Sequence, residues 1–213
     1  MVDDIFDTRF KEKKIELDDN RAKIGDDVNL TAKDPTIKRV LIGAGWDLNA
    51  FDADALDLDL SVIMINKDNM TNNDEDFIFY NTLDAYDGAI KHNGDSRTGA
   101  GDGDDESVTI DLEGVSFDVM KFLFVISIYK GEEKAQNLDM VRNAYIRVVN
   151  AENGHEFIRY ELDKDLNDRT ETAMIAASLN REGPKWHFTP VGEFVEGGLA
   201  AVAGRYGLII AQQ

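Results

Sequence analysis

The sequence has no cysteine, which removes disulfides, zinc-thiolate sites and cysteine nucleophiles from consideration. Its three histidines, His92, His155 and His187, are too few and too scattered to suggest a zinc or copper centre. No stretch approaches the ~18 consecutive apolar residues of a membrane-spanning helix. The opening residues 1–14, MVDDIFDTRFKEKK, contain no apolar run of secretory-signal length, so a cytoplasmic location is expected. Positive charge is also scarce: 23 lysines and arginines stand against 42 acids, a formal net charge of -19. Such a chain repels phosphate backbones and anionic lipid surfaces, which argues against nucleic acid and membrane insertion and in favour of cations and basic proteins as partners.

What is abundant is strand patterning. Leu56, Leu58, Leu60, Val62 and Met64 fall at alternate positions, as do Val108, Ile110 and Leu112. So do Phe122, Phe124, Ile126 and Ile128, and again Ile158, Tyr160 and Leu162. A period of two marks a strand with a buried face. In Lys121 to Lys130 the alternate residues Leu123 and Val125 are apolar too, which predicts a central strand covered on both sides. Glycine- and Asp/Asn-rich joints at 84–88, 93–103, 150–154 and 180–184 separate the runs. The pattern predicts an all-β sandwich of two sheets with one or two short peripheral helices. One helix is expected where Leu199, Val202, Ala203 and Tyr206 share a face, stopped by Gly207, and a short helical turn within 132–141. Neither a solenoid repeat nor a proline- or serine-rich linker divides the chain. Residues 1–14 read as a charged arm and 15–213 as one domain. Trp46 reads as a core aromatic and His92 as a neutral surface histidine. His155 and His187 fall on expected strand segments, with no serine or paired acid beside them to suggest catalysis.

Three acidic patches carry the candidate chemistry. In Asp57-Leu58-Asp59 the pleat aims both carboxylates to one face, with Cα atoms ~6.6 Å apart. The second is Asp74-Glu75-Asp76, leading to Asn81. The third and sharpest runs from His92 to Glu106. There Asp95, Asp102, Asp104, Asp105 and Glu106 face one base, Arg97, among Gly94, Gly99, Gly101 and Gly103. Crowded carboxylates need compensating positive charge. Calcium takes about six to eight hard oxygens in a tolerant geometry and accepts both carboxylates and glycine carbonyls, whereas magnesium demands a near-ideal octahedron. The spacing is not that of an EF-hand, and the glycines lack the Lys-Ser/Thr of a phosphate cradle. A solvated acidic turn that binds nothing is the competing reading.

The strings VNLT (28–31), IGAGWD (42–47), DLDLS (57–61), DEDFIFYN (74–81) and GDSRTGAGDGDDE (94–106) occur in order. NAYIRVVN (143–150), RYELD (159–163), ETAMI (171–175) and GGLAA (197–201) follow them. Together they resemble the TerD-like tellurite-resistance and general-stress family over nearly everything after about Ile15. The resemblance implies two packed β-sheets and calcium held by acidic loops. It also implies a role in tellurite, oxidative or DNA-damage stress and in phage or colicin resistance. By matching position it implies calcium ligands at Asp57, Asp59, Asp76, Asn81, Asp95, Thr98, Asp102, Asp104, Asp105 and Glu106, with the Gly99 and Gly101 carbonyls as further candidates. The sequence departs from the family pattern at Ser96, where asparagine is usual, and in the acidic AFDADAL stretch before DLDLS. A calcium-responsive module that presents a surface to protein partners, with no enzymatic activity, is the reading this favours. A metal-dependent hydrolase and a calcium-independent acidic scaffold are the alternatives.

Overall fold

Leu58, Leu60, Val62 and Met64 point from one strand into a shared core, with exposures of 1 % or less. That burial follows from their alternation, and each such side chain contributes roughly 1.5–3 kcal/mol relative to exposure. The computed structural model describes residues 20–47, 56–94 and 103–210. In chain order the elements begin with β1 (Arg21–Ala22), β2 (Val28–Asn29), α1 (Leu30–Lys33), β3 (Arg39–Asp47) and β4 (Leu58–Ile65). Then come β5 (Phe77–Ile78), β6 (Asp84–Ala85), β7 (Ile90–His92), β8 (Glu106–Asp111) and β9 (Lys121–Ile128). The chain closes with β10 (Arg142–Asn150), β11 (Glu156–Glu161), α2 (Asp163–Leu166), β12 (Ala173–Glu182), β13 (Lys185–Val195) and α3 (Gly198–Arg205).

The strands form two sheets. One has seven strands in the order β1-β11-β10-β3-β8-β7-β6, the other six in the order β2-β13-β12-β9-β4-β5. Every pairing is antiparallel except β1 with β11. Between the sheets lie Val40, Ile42, Trp46, Val108, Ile110, Phe122, Phe124, Ile146, Ile158 and Phe188. This is the expected sandwich, and Trp46 is the expected core aromatic, 4 % exposed. A second apolar cluster covers the outer face of the six-stranded sheet. Ile63, Ile65, Leu123, Val125, Ala173 and Ile175 pack there beneath Val202 and Ala203 of α3. The two-sided burial expected from Leu123 and Val125 therefore has a named cause, the helix. Gly207, at φ +90°, stands just past the end of α3 as its expected stop.

Several local expectations are corrected. Residues 180–182 are not a joint: they continue β12, and the hairpin turns only at Gly183 and Pro184. The helical segment within 132–141 shrinks to a 3-10 turn, Leu138–Met140. Asp84 and Ala85 form the short edge strand β6. His155 precedes β11. Arg21 and Ala22 pair with β11. The arm at 1–14 lies outside the described residues.

Candidate functional site

The end of the GDGDDE run is where the architecture brings acids together. β3 and β8 are antiparallel neighbours with Ala44 opposite Glu106. That register sets Asp104 and Asp105 beside the end of β3. Asp105 accepts a hydrogen bond from the Trp46 backbone N–H at 2.8 Å, and its own N–H donates to the Ala44 carbonyl. Its carboxyl is pushed above the usual range by burial first, then by the negative Asp47 and Asp104, against the stabilising Trp46 N–H. Asp105 lines a cavity of about 380 Å³ together with Asp47, Glu161 and Asp163. Glu161 pairs with Arg21, and Asp163 accepts from the Ala144 N–H at 3.0 Å. Asp47 accepts from the Asn143 amide. Arg159, the cavity's base, lies 3.8 Å over the Tyr145 ring and bonds to Glu156. Among the described residues no lysine or arginine forms an ion pair with Asp47 or Asp105.

The remaining predicted ligands divide among different places. Asp104 is gripped by Arg147 through two bonds of 2.7 and 3.0 Å and also accepts from the Tyr145 hydroxyl. It lies over Gly43, where an added Cβ would approach its carboxylate oxygen to 2.1 Å. The Gly43→Ala substitution is therefore expected to break this grip and cost about 2 kcal/mol, read as a lower denaturant midpoint with unchanged m-value. Gly45 makes similar room for the Tyr145 ring. Glu106 points inward, 2 % exposed, and its Oε2 accepts from the Leu60 N–H of the opposite sheet at 2.6 Å. His92 completes this contact, 3.2 Å from the Leu60 carbonyl and 3.4 Å from Glu106. It is 3 % exposed, which corrects its expected surface position. Asp76 is fully buried and holds its own loop: it accepts from the Asn72 and Asn73 N–H groups and from the Tyr86 hydroxyl. Tyr86 is correspondingly pushed far above the ordinary phenol range, by burial first and by Asp76 next.

Asp59, 6 % exposed, faces a second cavity on the outer side of the six-stranded sheet, away from Asp105. Asp57 accepts a backbone bond from the Tyr129 N–H through its carbonyl. Asn81 is exposed in a turn. Asp95, Thr98, Gly99, Gly101 and Asp102 lie outside the described residues, as does the AFDADAL stretch up to residue 55. Among the described residues no three acids or histidines converge at metal-binding spacing. The donors at the first cavity are all oxygen, which fits calcium in kind. Asp47, Asn143 and Arg147 were not singled out as site residues, although they stand inside the strings IGAGWD and NAYIRVVN.

The TerD domain family has a sequence model that matches residues 22–206. The chain belongs to the TerD family. It is 42% identical over 184 residues to the tellurium resistance protein TerD of Serratia marcescens, covering 86% of this chain and 95% of that one. Its identity with general stress protein 16U of Bacillus subtilis (strain 168) is 42% over 185 residues, with the same coverages. The chemical-damaging agent resistance protein B of Clostridium acetobutylicum is 42% identical over 139 residues, 65% of this chain and 99% of that protein. The crystal structure of a homologue of telluride resistance protein (TerD) from Streptomyces coelicolor A3(2) superposes with a TM-score of 0.65 at 20% identity, covering 82% of this chain and 99% of that one. That likeness confirms the fold. None of these relatives carries an enzymatic name, and no helix among the described residues is long and apolar enough to cross a membrane.

Proposed function

We propose that this TerD-family chain is a cytoplasmic calcium-binding stress-response module of the tellurite- and chemical-damage-resistance type. In this reading it acts through calcium-ordered acidic loops and protein interaction, not catalysis. The observation that carries the proposal is the place of Asp105: it stands at the end of the glycine-aspartate loop and lines one cavity with Asp47, Glu161 and Asp163, and no described lysine or arginine forms an ion pair with it. Asp105, with Asp95, Thr98, Gly99, Gly101 and Asp102 of the adjoining loop, would hold the ion. Calcium, when bound, would supply positive charge to these carboxylates. Asp104 and Asp76 serve the site as a frame, because arginine, backbone N–H groups and tyrosines already occupy both oxygens of each, while Glu106 ties Leu60 through Oε2 alone. Among the described residues the histidine beside these acids, His92, is buried between the sheets and lines neither cavity, which favours a binding module over a hydrolase. The surplus of acids suits a partner with a basic surface.

Asp105→Asn tests this with two opposite signs. A carboxyl whose folded pKa is raised favours the folded state at low pH and disfavours it as pH rises. Removing its charge should therefore raise the melting temperature of the metal-free protein at neutral pH. The same change should weaken calcium binding about tenfold in a calorimetric titration. A variant that binds calcium as the parent does would overturn the assignment of Asp105.

A further inference from the structure

The second cavity, of about 260 Å³, sits against the outer face of the six-stranded sheet beside the first turn of α3. It is independent of the first cavity and does not rest on the calcium reading. Its floor is polar, beside the apolar patch of Ile63, Ile65, Leu123, Val125 and Ile175 on the same face. Asp59 on β4 stands directly opposite Ser127 on β9, and Thr172 precedes β12 alongside them. Asp59, Ser127 and Thr172 are 6 %, 2 % and 5 % exposed. No described residue hydrogen-bonds the Ser127 or Thr172 hydroxyl, and both residues line the cavity. The hydroxyl oxygen of Thr172 lies under the helix start, 3.3 Å from where a Cβ on Gly198 would stand.

α3 begins without a side-chain cap, because its N-cap position is Gly197. The N–H groups of Gly198, Leu199 and Ala200 belong to the first helical turn and have no partner within the helix. All three residues line the cavity. Uncapped donors at a helix N-terminus favour an anionic acceptor. Asp59, beside Ser127 on the same floor, is the cavity's buried acid. It shares the cavity with Tyr80, whose phenol is raised by burial first and then by Tyr129 and Asp59. Tyr80 and Tyr129 meet edge to face at 5.8 Å, and Ile128, Leu199 and Ile210 add apolar wall.

We infer that this cavity binds a small zwitterion of the apolar amino-acid class, its carboxylate on the α3 N-terminus and the Thr172 and Ser127 hydroxyls, its ammonium on Asp59. The volume lies just below the ~300–1,000 Å³ typical of drug-sized ligand sites, which suits an amino acid. The site assigns Asp59 to a ligand different from the calcium ion implied by the resemblance.

The test is backbone-amide NMR of the full chain with L-leucine as probe, in chelator and again in saturating calcium. Isocaproate lacks the ammonium and isoamylamine lacks the carboxylate. Leucine should move the Gly198, Leu199 and Ala200 amides in chelator, and each analogue should bind about tenfold more weakly. Thr172→Val should weaken leucine by about tenfold, with the melting temperature preserved as evidence of an intact fold. Asp59→Asn should weaken leucine and isoamylamine but not isocaproate; should that variant not fold, Thr172→Val and Ser127→Ala carry the comparison. The inference is overturned if those amides stay still up to roughly 10 mM leucine. It is equally overturned if the analogues bind as leucine does, or if calcium alone moves these amides and Asp59→Asn abolishes that response. A missing calcium response with leucine binding intact would sink only the calcium reading.

Discussion

Replacing Glu106 with alanine is expected to destabilise the protein by about 3 kcal/mol, among the larger effects of any single side chain here. The reason is a topological gap. β5 pairs with β4 only at Val62 and Ile63. Leu60 therefore has backbone groups on that side with no strand to receive them. Glu106 reaches across from the seven-stranded sheet to accept its N–H, and His92 approaches its carbonyl. The Gly94 N–H donates to Nδ1 of His92, so Nε2 carries the hydrogen directed at the Leu60 carbonyl. Alanine would leave a buried donor without an acceptor and a void between the sheets. For a chain of this length the loss amounts to roughly 6–12 °C in melting temperature. Glu106→Gln keeps an acceptor oxygen and should recover part of it. A melting temperature for Glu106→Ala within a degree or so of the parent would contradict this account.

The second large effect is on stability through the metal. At a free calcium concentration one hundred times its dissociation constant, one site stabilises the folded state by about 2.7 kcal/mol. That corresponds to a rise of roughly 5–10 °C in the melting temperature, reversed by chelator. Magnesium should give a much smaller rise, because it resists a flexible, protein-rich oxygen shell. Amides flanking the acidic loops, such as those of Trp46 and Asp105, should exchange more slowly with calcium present. Unchanged melting and unchanged hydrogen exchange at saturating calcium would dispose of the calcium proposal altogether.

The strands were legible because alternation is a local signal. Leu58 to Met64 and Phe122 to Ile128 announce their buried faces one residue at a time, and both lie as expected. His92 was misread because β7 is three residues long. So short a strand gives no periodicity to reveal a buried face, and its burial depends on Leu60 and Glu106, which are distant in sequence. Residues 180–182 were misread because asparagine and arginine resemble turn residues, while Asn180 in fact bonds Ser178 and Thr189. At the site, the concentration of carboxylates was visible but their partners were not. Asp104 and Arg147 are 43 residues apart and meet only through the pairing of β3 with both β8 and β10. Composition could not distinguish an acid awaiting a cation from one already neutralised by arginine.

The short strands β1 and β2 have a consequence for how the molecule avoids its own copies. Within ten residues the chain lies along the outermost strand of one sheet at Arg21–Ala22 and of the other at Val28–Asn29. The segment thus acts as a hem, covering part of the β11 and β13 margins. A version trimmed to begin at Leu30 would bare both, and unpaired strand margins recruit other strands. Such a trimmed chain should form concentration-dependent aggregates visible by light scattering, even with every residue of the acidic loops in place.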